Sequence, residues 1–154
     1  MNELDAIDRR ILTLLQTDAF ISNKELSHEL GLSLTPIHER VKRLEREGYL
    51  KGYVGLVDRK KIGRGLIAFC QVSLKEHTQE FIKEFEAKVG SLPEVMECYN
   101  IAGPFDYLLK VVVKDMDDYR RFVVEQLAAL AHIGGPQSVF VMAEIKATTV
   151  LPIY

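Results

Sequence analysis

Between Ile21 and Leu50 the chain reads ISNKELSHELGLSLTPIHERVKRLEREGYL. The groups there that could meet another molecule are hydroxyls, an amide, imidazoles, carboxylates and cations, the set that reads nucleic acid rather than one that attacks a bond. Thr35, His38 and Glu39 could reach base edges, while Arg40, Lys42 and Arg43 could reach phosphates or guanine. Ser22, Asn23, Ser33 and Pro36 complete the candidate DNA-contacting set, at the openings of two successive helices.

For these groups to act together, two helices and a tight turn must hold them. Leu26 and Leu30 stand four apart on a first helix, and Gly31 can take the positive φ that ends it. Ser33 is placed to cap the next helix. Pro36 falls in that helix's first turn, where its missing N–H removes no internal bond. Ile37, Val41 and Leu44 then mark a buried stripe. At about 100° per residue, Thr35, His38, Glu39, Lys42 and Arg46 lie away from it, with Arg40 and Arg43 toward one flank. This is the layout of a helix-turn-helix. The alternative is a solvated surface of pairs such as Glu39/Arg43. The spaced helix, glycine turn and hydroxyl-rich helix start favour DNA.

Other chemistry finds little support. His28, His38, His77 and His132 are scattered, Cys70 and Cys98 lack metal-ligand spacing, and no catalytic triad or phosphate-binding glycine loop stands out. No metal or cofactor is expected. No apolar run approaches a membrane span and no leader opens the chain, so the cytoplasm is the expected location.

The 154 residues are 47% hydrophobic and 27% charged, a globular balance. The net charge of −2 is unevenly divided. Residues 1–64 carry +2 and residues 65–154 carry −4, while residues 36–64 alone carry +5. Positive charge is therefore concentrated where a nucleic acid would sit.

A further helix precedes these two, with Leu4, Ile7, Ile11, Leu14 and Leu15 on one face and Asp5, Asp8, Arg9 and Arg10 on others. Tyr49–Val57 reads as a strand, a wing or connector, and Asp58–Gly65 (DRKKIGRG) as a linker. Leu66–Leu74 reads as a strand with Ala68, Cys70, Val72 and Leu74 on one face. Phe81, Ile82, Phe85 and Val89 give a helix ending at Gly90. Val95–Ala102 and Tyr107–Val113 are strands joined at Gly103–Asp106. Met116, Tyr119, Val123, Leu127 and Leu130 mark a helix, and Ser138–Lys146 a last strand. The order β-α-β-β-α-β is ferredoxin-like.

With these motifs in order, the chain resembles the Lrp/AsnC (leucine- and asparagine-responsive, feast/famine) family of transcriptional regulators over nearly its whole length. LDAIDRRILTLLQTD at Leu4–Asp18 resembles the family's opening helix, and Ile21–Tyr53 its DNA-reading signature. GPFDYLLKVVVKDMDDY at Gly103–Tyr119 resembles its G-x-x-D-Y turn with the following strand and helix. AEIKATTVLP at Ala143–Pro152 resembles its ending. Phe20 departs from the basic residue usual in D-G-R-I-S, and Ala131–Gln137 (AHIGGPQ) from the L-P-G-V turn.

The resemblance implies an α+β chain with an N-terminal winged helix-turn-helix (1–57), a linker (58–65) and a C-terminal ferredoxin-like, RAM-type domain (66–154) for ligand sensing and oligomerisation. It implies a sequence-specific regulator of double-stranded DNA. The protein would be a homodimer assembling to an octamer, modulated by a small-molecule effector, an amino acid or relative. On this analogy the Gly103–Asp106 turn flanks the effector pocket. Gly103 would bring backbone close to the ligand and Asp106 would hold an α-ammonium group. The alternative is an Asp that only caps local N–H groups. Tyr99, Asn100, Met116, Thr148 and Thr149 resemble other pocket positions, though Met116 would equally suit core packing. A sirohaem-decarboxylase-like enzyme on the same architecture is the rival from another class. It should need basic and histidine side chains for a polycarboxylate, whereas the C-terminal half here is acidic. A sensing module without DNA binding is a second rival.

Overall fold

The computed structural model describes residues 3–130 and 132–154. They fall into two compact units, one comprising residues up to Leu56 together with Lys146–Tyr154, the other Val57–Ile145.

The first unit is built on α1 (Ala6–Thr17), α2 (Asn23–Leu30) and α3 (Leu34–Arg46). The first two starts have a visible cause. Asp5 and Asp8 form a reciprocal capping box on α1, as Ser22 and Glu25 do on α2. Gly31 ends α2 in the left-handed region at φ 64°, as its position predicts. Ser33 has the extended backbone of an N-cap, yet its hydroxyl makes no capping bond. Ile11, Leu12 and Leu15 of α1 bury against Leu26 of α2 and Ile37, Val41 and Leu44 of α3. Asp8, expected on a polar face, is buried with them.

Two expectations change here. The segment Tyr49–Val57, expected as a strand, forms none among the described residues; Tyr53 instead donates its hydroxyl to Glu45 Oε1 at 3.0 Å. A strand needs a partner ladder, and glycines at 52 and 55 weaken this weakly alternating segment. The end of the chain, expected in the sensing domain, belongs to the helical unit. Gln16 accepts from the Leu151 N–H at 2.7 Å and donates to the Leu151 carbonyl at 3.1 Å, and Ile153 packs on the helical core.

The second unit is a four-stranded antiparallel sheet in the order β2-β3-β1-β4: β1 is Leu66–Val72, β2 Val95–Asn100, β3 Tyr107–Val113 and β4 Gln137–Phe140. Alternation puts Ala68, Cys70, Val72, Tyr107, Leu109, Val111 and Val113 on one face, where they bury with Phe85 and Val89 of α4 (Gln79–Ser91). Tyr119 of α5 (Met116–Arg121), with Phe122 and Leu127 of the π-helical stretch that continues it to Leu127, closes the same core. This is the expected β-α-β-β-α-β fold. Helix α4 runs past Gly90, which keeps a helical backbone, to Ser91. Of the stripe expected from Met116 to Leu130, Tyr119, Val123, Leu127 and Leu130 meet the core across the π stretch, whereas Met116, at the start of α5, is exposed. Strand β4 stops at Phe140 rather than Lys146: its ladder on β1 covers Gln137–Phe140, and one further bond, from the Val141 N–H to the Ile67 carbonyl at 3.0 Å, ends the pairing. The expected turn at Ala131–Gln137 is described from His132 onward; Ala131 lies outside the described residues. The expected linker is a tied turn: Asp58 accepts from the Lys60 and Lys61 N–H groups, and Arg59 donates to the Gly65 carbonyl at 2.8 Å.

Candidate nucleic-acid interface and effector turn

Helix α3 carries most of the candidate interface. Its buried stripe turns Thr35, Pro36, His38, Glu39 and Lys42 to solvent, with Ser33 exposed just before them. The helix start offers unpaired N–H groups and a positive dipole end, suited to phosphate. From α2, Asn23 Nδ2 lies 3.1 Å from His38 Nδ1, so this pair joins the two helices on the candidate reading face. Ser22 is occupied: its hydroxyl lies 2.7 Å from Glu25 Oε2, and this contact holds the Glu25 carboxyl below its ordinary range. Lys42 extends into solvent with a loose 3.4 Å contact to Glu45.

Arg40 and Arg43, expected to reach phosphates or guanine, are engaged inside the protein. Arg40 donates to Asp5 Oδ2 at 2.6 Å and to Asp8 Oδ1 at 2.8 Å, and Arg43 pairs with Asp8 Oδ2. The Asp8 side chain is 1% exposed, against 28% and 26% for Arg40 and Arg43. These bonds push the Arg40 pKa up, Asp5 contributing most, while the Asp8 backbone N–H leads in lowering that of Asp5. Sequence reading missed Asp8 as a partner. Its place in an Asp5-x-x-Asp8 capping box one helix turn before Ile11 was the available signal.

In the second unit, the Gly103–Asp106 turn is tightly held. The Asp106 N–H donates to the Val72 carbonyl at 3.0 Å, and Asp106 Oδ2 accepts from the Leu74 N–H at 2.7 Å. Its Oδ1 lies 2.8 Å from His77 Nε2, and the Asp106 carbonyl accepts from Asn100 Nδ2 at 3.0 Å. The Leu74 N–H first, then His77, holds the Asp106 carboxyl below its usual range. Local capping is therefore part of its work, and His77 is a partner the sequence did not suggest. Two carboxylate oxygens offer about four acceptor positions, so a donor from a ligand can still be accepted. Gly103 sits at φ 154°, in the region favouring glycine, with open space where a Cβ would be.

The structure thus joins Asn100 to Asp106. Tyr99, half exposed on β2, donates to Glu97 Oε2 at 2.8 Å, and Met116 is exposed at the start of α5. Thr148 and Thr149 lie in the tail that belongs to the helical unit; Thr148 Oγ1 accepts from the Val150 N–H, and Thr149 borders a depression lined by Leu15, Gln16, Phe20 and Tyr53. Among the described residues there is no metal-binding cluster and no helix long and apolar enough to cross a membrane.

Comparison with known proteins agrees with this layout. A family model described as winged helix-turn-helix DNA-binding matches residues 4–51, and one described as the Lrp/AsnC ligand binding domain matches residues 67–151. The leucine-responsive regulatory protein of Salmonella typhimurium is 42% identical over 151 residues, covering 98% of this chain and 92% of that one. A transcriptional regulator of Neisseria meningitidis solved with L-Met superposes with a TM-score of 0.92 at 37% identity, over 97% of each chain. AsnC of E. coli gives 0.91 at 26% identity, over 98% of this chain and 100% of that one. With both halves matched in order, the chain belongs to the Lrp/AsnC family of transcriptional regulators.

Proposed function

We propose that this regulator works in the cytoplasm as a homodimer, assembling further to an octamer, that reads a pseudo-palindromic operator with the exposed face of α3. The carrying observation is that face: Thr35, His38, Glu39 and Lys42 project outward from a helix whose opposite stripe is wholly engaged in the core. Thr35, His38 and Glu39 would meet base edges, and Ser33, Pro36 and Lys42 would lie along the backbone, with Asn23 bracing His38. Two copies would address successive major grooves.

The effector we propose is an amino acid, bound near the Gly103–Asp106 turn with Tyr99, Asn100 and Met116 as neighbours. The L-Met complex of the Neisseria relative supports this class. Such a ligand regulates only if it favours one assembly or DNA-bound arrangement over another. We infer a binding role rather than a catalytic one, the named relatives being regulators.

The test is a gel shift and footprint at near-physiological salt, with and without methionine or leucine. A protected operator whose occupancy changes with one amino acid is the expected result. Equal affinity for random DNA counts against the reading, and a tetrapyrrole absorbance in the purified protein would favour an enzyme.

A further inference from the structure

Of the nine cations in residues 36–64, α3 holds four, Arg40, Lys42, Arg43 and Arg46, and two of these are neutralised from beneath. Asp8 accepts from three donors: the Asp5 N–H at 3.2 Å, Arg40 at 2.8 Å, and Arg43. Asp5 takes a second bond from Arg40 at 2.6 Å. Two carboxylates and two guanidiniums thus make a neutral cluster at the junction of α1 and α3. A buried carboxylate between two arginines is costly to leave unpaired, so the pairing is held firmly. Lys42 and Arg46 remain the exposed cations of α3.

The geometry of the cluster also suggests what it is for. The stripe Ile37, Val41 and Leu44 fixes which side of α3 faces the core, but apolar ridges tolerate some sliding along the helix axis. Arg40 and Arg43, three residues apart on one flank, meet a single carboxylate near the start of α1. That contact allows one axial position, the register-setting use best attested for buried polar groups.

We infer that Asp8 is a positioning residue for DNA recognition: it clamps α3 to α1 through Arg40 and Arg43, which thereby serve the register of the reading helix and not the DNA phosphates. This rests on the DNA-reading function proposed above. Removing the Asp8 charge frees Arg43 and leaves Arg40 held by Asp5 alone, so one uncompensated positive charge appears at the edge of the DNA face: discrimination falls while attraction to any duplex rises. Removing Arg40 loosens the register without removing a phosphate contact.

The experiment is fluorescence anisotropy of the full-length protein on a labelled operator duplex, found by footprinting, and on a random duplex of equal length, over a series of KCl concentrations. Each phosphate contact contributes about 0.9 to the slope of log K against log salt. Arg40→Gln is expected to weaken operator binding and keep the wild-type slope. A slope reduced by about 0.9 per reading helix in Arg40→Gln would place Arg40 on a phosphate and overturn the inference. Asp8→Asn is expected to lower the operator-to-random ratio and steepen the random-DNA slope. A folded Asp8→Asn protein, judged by circular dichroism, that keeps ratio and slope also refutes the clamp. If that variant does not fold, Arg40→Gln decides. Wild-type protein without operator preference would sink the DNA-reading function itself, an outcome separate from any change of slope.

Discussion

Replacing Gly31 probes the turn of the helix-turn-helix with few confounding contacts. Its φ of 64° is left-handed, and a Cβ added there meets nothing within 4 Å. Gly31→Ala therefore adds no clash, only the intrinsic cost of an alanine in that region, about 1–2 kcal/mol. Part of this is offset because alanine also restricts the unfolded chain, by roughly 0.4–1 kcal/mol. The net expectation is a loss of about 1 kcal/mol. Gly31→Asn should cost less, since asparagine enters the left-handed region more readily. Urea unfolding followed by helical circular dichroism would measure both, with the denaturant slope unchanged. A neutral or stabilising Gly31→Ala would refute the reasoning. So would an asparagine variant less stable than the alanine one, which would indicate a steric conflict where open space is seen.

The same substitution elsewhere should act in reverse. Gly90 lies exposed in α4 with helical backbone and open space around it, so Gly90→Ala is expected to stabilise by about 0.5–1 kcal/mol, and a lower urea midpoint would contradict this. Asp106 gives a pH signature. Its folded pKa lies below the ordinary 3.8, so its contribution is fully present above that value and disappears as pH falls through the lower folded value. The stability gap between wild type and Asp106→Asn should therefore close on acidification below about pH 4. Urea midpoints from pH 7 to pH 3 test this, and a gap of constant size would exclude an ionised Asp106 as its source.

What was legible in the sequence was whatever leaves a periodic or local trace. Ile37, Val41 and Leu44 repeat at helical spacing and are buried, and Gly31 takes the left-handed turn its position requires. The alternation of Leu66–Leu74 likewise placed Ala68, Cys70, Val72 and Leu74 on the buried face, and Tyr107–Val113 forms the strand expected of it. Contacts between distant residues left no such trace. Arg40 is 32 residues from Asp8, and nothing periodic links them, so its charge was assigned to DNA. His77 reaches Asp106 across 29 residues, and Gln16 reaches Leu151 across 135. The strand expected at Tyr49–Val57, which does not form, and the extent expected for Ser138–Lys146 fail for a related reason. Alternation proposes a strand, but only a partner ladder makes one, and of these two segments only the second has it, over Gln137–Phe140 with one bond more at Val141.

The central claim is that α3 reads a defined DNA sequence under the control of a small molecule. Genomic footprinting of the tagged protein, in cells grown with and without candidate amino acids, tests it most directly. The account predicts discrete protected segments with pseudo-palindromic halves about one helical turn or a multiple apart, whose protection changes with one amino acid. Protection spread evenly over the genome, or indifferent to every amino acid supplied, would contradict it.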